Sequence, residues 1–360
     1  RLLESLIQQS KPMENRFLNQ GRVGFYQDAL KQEMLQHGEP AFRAKQVYEW
    51  IWKKSARSFD AMGNIPKSTR EWLAANFDLQ CVTTSEMQVS TDRTIKSSFR
   101  LHDEHLIEGV LIPTRERMTA CVSSQVGCSL TCSFCATGYM DRKRNLEAFE
   151  IYDQVVLIRD QAQEKYGIPL TNIVYMGMGE PLLNYANVLK SVEMITSPEG
   201  LGMASRRITV STAGIAKMIK KLGDDQVKFN LALSLHAAND EKRNRIMPIN
   251  ETNTLEALTA ALQYFYEKTE NEITLEYIMF NKFNDSVDDA KELYEFARHI
   301  PCKINIIEYN PIKQADFVNA EADAIAAFSG FLESKRMVVN VRRSRGKDID
   351  AACGQLAGKK

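Results

Sequence analysis

Nowhere in the 360 residues is there a run of about 18 apolar residues, so no helix of this chain is expected to span a membrane. The opening stretch, RLLESLIQQSKPMENRF, is too charged and too short of apolar length for a secretory signal. Net charge is missing as well. The 46 Lys and Arg balance 46 Asp and Glu, so a nucleic-acid partner has to be met by local basic patches. No repeat or low-complexity segment stands out. Cysteine is scarce outside one segment: of seven, only Cys81, Cys302 and Cys353 lie elsewhere. An odd, clustered set without an export signal argues for a reducing cytoplasm, where such thiols bind metal or react. The chain opens on Arg1 rather than methionine, so the natural start is expected upstream.

What remains is an ordinary globular composition, 44% hydrophobic and 26% charged, long enough for a large domain and a smaller one. Residues 21–80 read as helical, with apolar residues at helical spacing in YQDALKQEMLQH and RAKQVYEWIWKK. Basic residues gather in two places. Residues 40–72 carry seven Lys and Arg against three acids, interleaved with Tyr48, Trp50 and Trp52; residues 335–347 carry six and no acid. Either patch is a candidate RNA contact or a solvated face, and the aromatics of the first are stacking groups or the buried side of a helix. From residue 81 short β-like runs appear: TIKSSFRL, HLIEGVLIP and MTACVSS. Strands and helices then alternate in six βα units, whose strands are MTACVSS, TNIVYMGMG, RRITVSTAG, KFNLALSLHA, EITLEYIMF and CKINIIEYN. The pattern predicts a parallel sheet. Each strand ends in a polar, site-like segment, which favours a barrel-like arrangement where those ends share one face.

The segment CVSSQVGCSLTCSFCATG holds four cysteines in fifteen positions. Cys128, Cys132 and Cys135 are spaced C-x3-C-x2-C, a triplet with no second C-x2-C pair of the kind structural zinc prefers. A 4Fe–4S cluster has four irons, so three thiolates leave one open to a substrate or cofactor. Phe134, beside the last cysteine, would help to cover such a cluster. A zinc site completed by a distant Cys or His remains the alternative, in which case the chain would be a non-catalytic RNA-binding protein.

With an aromatic before its last cysteine, at the start of a βα series, the triplet resembles the radical S-adenosylmethionine (SAM) superfamily. GMGEP, at the end of the next strand, falls where that superfamily binds the SAM amine. There Gly179 lets the backbone approach and Glu180 can pair with an ammonium group. Taken with ITVSTAG, LALSLHA, MPIN, YNP and the C-terminal DIDAACGQLAG, the chain from about Glu39 resembles the RlmN/Cfr adenine methyltransferases. The implied fold is α/β: a partial (βα)6 barrel of the radical SAM type with a small N-terminal helical accessory domain. The corresponding organisation is an extension over 1–20 outside the resemblance, an RNA-binding helical module over 21–80, a β-rich connecting segment over 81–117, and a core over 118–360 that ends in a methyl-carrier cysteine tail.

The resemblance also implies roles. Cys128, Cys132 and Cys135 would hold the 4Fe–4S cluster. Cys353 would carry a methyl group taken from a first SAM, with a second SAM giving a 5′-deoxyadenosyl radical. Cys121 would release the protein–RNA adduct and form a disulfide with Cys353, and Glu108 would accept a proton. Gly179, Glu180, Ser211, Ser234, Leu235, His236 and Asn310 match SAM-contacting positions. Taken singly, Glu108 reads as an exposed strand carboxylate, a Ser or Asn at a strand end as a turn residue, and His236 as structural. The residues around Cys353 suggest a mobile, approachable tail whose neighbouring Lys and Arg favour the thiolate. Cys81 and Cys302 match no functional position and read as core. The implied partners are 23S rRNA, tRNA, SAM and a one-electron reductant such as a flavodoxin, acting on a monomer. GEPAFRAKQ and the long N-terminal module favour methylation of adenosine C2, with C8 the alternative.

Overall fold

The structure is a computed structural model that describes residues 27–358. The expected extension over 1–20 and the first residues of the expected helical module lie outside the described residues. Helices α1 (Gln27–Gln36), α2 (Ala41–Tyr48) and α3 (Lys67–Asn76) make up the N-terminal module, and α2 runs on into one π-helical turn, Glu49–Lys53. Pro40 and Pro66 stand immediately before α2 and α3, where a missing N–H costs nothing. Leu30, Met34, Ala44, Val47, Ile51 and Leu73 supply the buried apolar side. Trp52 is also buried, edge-on to Tyr152 of the main domain, and its carbonyl accepts from the Tyr152 hydroxyl. The face of Trp50 is covered by the Lys54 ammonium, 3.7 Å from the ring centroid. The aromatics of the first basic patch therefore serve packing, and neither Trp52 nor the covered face of Trp50 is a free stacking platform.

Three antiparallel strands follow, β1 (Val82–Val89), β2 (Ile95–Leu101) and β3 (Leu106–Pro113), and β3 pairs antiparallel with β4 (Met118–Cys121). A short ribbon of β5 (Gln125–Val126) and β6 (Arg144–Asn145) brackets the cysteine loop. Next come α4 (Ala148–Tyr166), β7 (Asn172–Tyr175), α5 (Tyr185–Thr196), β8 (Ile208–Thr212), α6 (Ala216–Asp224) and β9 (Asn230–Ser234). The chain continues through α7 (Asp240–Ile246), α8 (Leu255–Thr269), β10 (Ile273–Met279), α9 (Val287–Ala297), β11 (Cys302–Glu308), α10 (Ala322–Ser334) and β12 (Val339–Arg342).

Ten strands make one sheet in the order β1-β2-β3-β4-β7-β8-β9-β10-β11-β12, parallel from β4 onward. The two end strands do not pair with each other, so the barrel is partial. The six expected parallel strands are all present, in the expected order. Residues 81–117 do more than connect, because they supply three strands of the same sheet. A seventh parallel strand, β12, lies inside the run read as a basic surface. Every residue of β10 is buried, as expected for a strand covered on both faces. The register sets Cys121 beside Val174, Thr212 beside Leu233 and Met279 beside Glu308, so the C-terminal strand ends share one rim. Cys81 is buried, as expected of core; Cys302 is half-buried at the opposite end of β11.

Candidate active site

The loop between β5 and β6 carries Cys128, Cys132 and Cys135, all free thiols. It is pinned at three points: Ser133 N–H donates to the Ile246 carbonyl at 3.0 Å, Cys135 N–H to the Cys132 carbonyl at 3.2 Å, and Gly138 N–H to the Cys135 carbonyl at 2.9 Å. Phe134 is buried beneath the loop, edge-on to His236 at 4.8 Å and beside Phe280 at 5.9 Å. Burial pushes Cys128 up to about 11, Cys132 well above the ordinary thiol value and Cys135 upward too. The negative charges of Cys135 and Cys128 add to the burial at Cys132. Three such thiols ionise together only around a positive centre, which an iron–sulfur core supplies. Among the described residues, no three His, Cys, Asp or Glu side chains converge on a point where one metal ion could sit. A tetrahedral zinc site needs that convergence; cluster ligands, each on its own iron, do not. The donor set therefore fits the cluster better than zinc.

Beside the loop, the turn after β7 is stitched to the segment before Cys128. The Met178 carbonyl accepts from Ser124 N–H at 2.9 Å, and Glu180 N–H donates to Gln125 Oε1 at 2.9 Å. Gly179 has φ +95°, and a Cβ there would lie 2.4 Å from the Gln125 Cβ. Glu180 is buried, its carboxylate accepting from Leu182 N–H at 3.0 Å and Ala213 N–H at 2.7 Å. Burial pushes its carboxyl up, and those amides pull it back. It thus joins the turns after β7 and β8, close enough for its charge to reach Cys128 and Cys132. Ser211 and Ser234 face one another with hydroxyls 3.5 Å apart. Leu235 is buried, and its N–H donates to the Glu276 carbonyl. His236 is buried at φ +60°, its Nδ1 accepting from Ile278 N–H at 3.0 Å. Burial, then the Arg243 charge, lowers it to about 3, so the ring is neutral. Asn310 is buried, and its Nδ2 donates to the Cys353 carbonyl at 3.2 Å. Among the described residues its Oδ1 is buried without a partner, an acceptor suited to a ligand N–H or O–H. The glycine cradle, the buried acid and this orphan acceptor fit SAM beside the cluster.

The tail differs from the expectation of a mobile segment. The Gly354 carbonyl accepts from Ala136 N–H at 2.7 Å, the Leu356 carbonyl from Thr137 Oγ1 at 2.6 Å, and Gln355 Nε2 donates to the Pro311 carbonyl at 3.1 Å. Ala357 N–H donates to Glu108 Oε2 at 2.8 Å. Cys353 itself is exposed at its surface, although the protein packed around it is enough to raise its thiol. Its thiol is not favoured as thiolate. Burial, then the nearby Glu276 charge, pushes it up to about 11, outweighing the opposing Arg342. Cys121, at the end of β4, is buried, and its thiol is raised by burial and then by the charge of Cys353. The charge of Cys353 thus reaches Cys121, but both are free thiols and no disulfide joins them. Glu108 is buried rather than exposed, with Lys96 Nζ 3.7 Å from its Oε1.

Sequence reasoning missed two groups at this site. Lys96 is buried on the face of β2 that also carries exposed Arg100, where no motif marks it. Arg243 lies in the charged run DEKRNRI, which reads as a solvated helix, yet it is fully buried.

Comparison with known proteins extends these observations over nearly the whole chain. Residues 122–297 match the radical SAM superfamily, and residues 23–79 match the ribosomal RNA large subunit methyltransferase N-terminal domain. A relative from Cytophaga hutchinsonii, named "Probable dual-specificity RNA methyltransferase RlmN", is 66% identical over 92% of this chain and 90% of its own length. The "Dual-specificity RNA methyltransferase RlmN" of Nitratidesulfovibrio vulgaris is 44% identical over 89% of each. The crystal structure of a radical SAM methyltransferase from Sphaerobacter thermophilus superposes with a TM-score of 0.89 at 39% identity, covering 92% of this chain and 98% of that one. The chain belongs to the RlmN family of dual-specificity RNA methyltransferases, radical SAM enzymes that use a 4Fe–4S cluster and SAM.

Proposed function

We propose that this enzyme methylates C2 of an adenosine at the peptidyl transferase centre of 23S rRNA and C2 of the tRNA adenosine next to the anticodon. The observation that carries the reading is that Cys121 and Cys353, from opposite ends of the core, are near enough for the charge of Cys353 to reach Cys121 and for that of Cys135 to reach Cys353. Such a pair has no purpose in a simple SAM-cleaving site, but a methyl carrier and its resolving thiol have to be within reach of one another. When bound, the cluster and two SAM molecules supply a transferable methyl group and a 5′-deoxyadenosyl radical. Cys128, Cys132 and Cys135 are the cluster ligands; Gly179, Glu180, Ser211, Ser234, Leu235, His236 and Asn310 cradle SAM. The Cys353 sulfur receives the methyl group and delivers the carbon to the adenine ring. Glu108 accepts the proton lost from that ring as the adduct gives up one electron to a one-electron acceptor. The Cys121 thiolate then attacks the Cys353 sulfur, and the carbon–sulfur bond breaks with its electron pair on the methylene carbon, which takes up a proton to become the product methyl. The pair is left as a disulfide for reduction.

The base has to leave its stack to reach this rim, so the protein grips phosphates and RNA shape. Residues 21–80 and the exposed cations of 335–347 are the proposed grips, and the family match over 23–79 supports the first. Electrons come from a one-electron donor such as a flavodoxin, and the chain works as a monomer in the cytoplasm. Nucleoside mass spectrometry of rRNA and tRNA treated with the reconstituted enzyme tests the reading. It expects 2-methyladenosine in both; 8-methyladenosine, or no methylated adenosine, refutes it.

A further inference from the structure

Arginine is seldom fully buried without a carboxylate partner. Arg243 is fully buried, and among the described residues no carboxylate lies within ion-pair distance. Its partners are neutral oxygens. Nε donates to the Leu235 carbonyl at 3.0 Å, Nη1 to Asn250 Oδ1 at 2.7 Å, and Nη2 to the Ser234 carbonyl at 3.1 Å and to the Ala213 carbonyl. The three carbonyls belong to the ends of β8 and β9, beside Ser211, Ser234 and Leu235. Helix α7, which carries Arg243, is also tied to the cysteine loop, since the Ile246 carbonyl accepts from Ser133 N–H. The guanidinium charge reaches Cys132 and His236. Asp240, the acid that reaches it, sits at longer range and is occupied in accepting from Asn250 Nδ2 at 2.7 Å and Leu255 N–H at 3.0 Å. Solvating a buried cation with neutral dipoles leaves its field uncancelled, whereas a direct ion pair would have quenched it.

We propose that Arg243 is a positioning residue with two roles: it fixes the strand ends that cradle SAM, and its uncancelled charge favours the one-electron-reduced cluster held by Cys132 and its neighbours. Reduction adds one electron from an external one-electron donor and makes or breaks no bond, so the cluster gains one negative charge beside a fixed positive one. The inference rests on the ligand assignment of Cys128, Cys132 and Cys135.

An EPR-monitored redox titration of the anaerobically reconstituted holoenzyme tests it, together with SAM affinity by equilibrium dialysis. Arg243→Gln is expected to make the reduced cluster about tenfold less favoured at a given potential, a fall of about 59 mV for one electron. Arg243→Lys keeps the charge and the potential. It loses the planar fork, so SAM binds about tenfold more weakly. Asp240→Asn leaves every bond of Arg243 in place and removes the opposing charge, so the potential rises. An unshifted potential in Arg243→Gln with iron content intact would mean a merely structural arginine and overturn the proposal. Should that variant hold no iron, Asp240→Asn decides alone, and a potential that stays or falls overturns it. Wild-type protein without iron would instead overturn the ligand assignment, and this inference with it.

Discussion

The reactivity of Cys353 with pH is set by surroundings that its sequence neighbours do not reveal. Burial, then Glu276, lifts the thiol to about 11 against the opposing pull of Arg342. Only the thiolate attacks an alkylating agent or a methyl donor. With the pKa at 11, about one Cys353 in ten thousand is ionised at pH 7, against roughly 3% for a free thiol near 8.5. A raised pKa keeps the thiol protonated through the neutral range, so alkylation of Cys353 should climb about tenfold per pH unit from 7 to 10. An ordinary thiol would flatten above pH 9. Short pulses of iodoacetamide followed by mass mapping of the Cys353 peptide separate the two profiles. Glu276→Gln should move the climb to lower pH, and Arg342→Ala to higher. A plateau reached by pH 9, or an Arg342→Ala variant that reacts faster, would refute the electrostatic account. In the proposed mechanism the same ionisation would gate methylation of Cys353, so that half-reaction should follow the same profile.

Cys121→Ala should leave RNA covalently attached to Cys353, visible as a shifted band on a denaturing gel; recovery of free RNA alone contradicts the resolving role. Cys353→Ala should abolish RNA methylation while iron remains at about four per chain; loss of iron would show that this cysteine belongs to the cluster instead. Asn310→Ala removes the orphan acceptor and should weaken SAM binding about tenfold in equilibrium dialysis, and unchanged binding would place SAM elsewhere. Gly179→Ala forces a Cβ into left-handed backbone and against Gln125, and should cost about 2 kcal/mol or more in urea unfolding. Arg336→Ala with Arg343→Ala should reduce the salt slope of RNA binding by about two, with no change in target sequence.

Motifs at strand ends were legible because they follow hydrophobic runs directly. GMGEP trails β7, STAG ends β8 and SLHA ends β9, so strand order alone brought those residues to one rim. Strand β12 was not legible. An edge strand exposed along most of its length carries no alternation, and its valines sit among arginines that read as surface. Trp52 was ambiguous because one residue type serves both stacking and packing, and only its contact with Tyr152 decides between them.

Charge was the least legible property. The lysines and arginines before Cys353 suggested an ionised thiol, but the dominant acid, Glu276, comes from β10, far away in sequence. Arg243 was hidden for the converse reason: its helix reads as solvated, and its burial depends on carbonyls supplied by two other turns. In both cases the sequence records which charges exist, while the fold decides which of them face one another. The tail makes the same point for geometry. Gly354 and Leu356 accept from Ala136 and Thr137, the two residues after Cys135. A loop read for its spacing alone is a cluster site, and the same loop docked against the tail becomes the floor on which Cys353 rests.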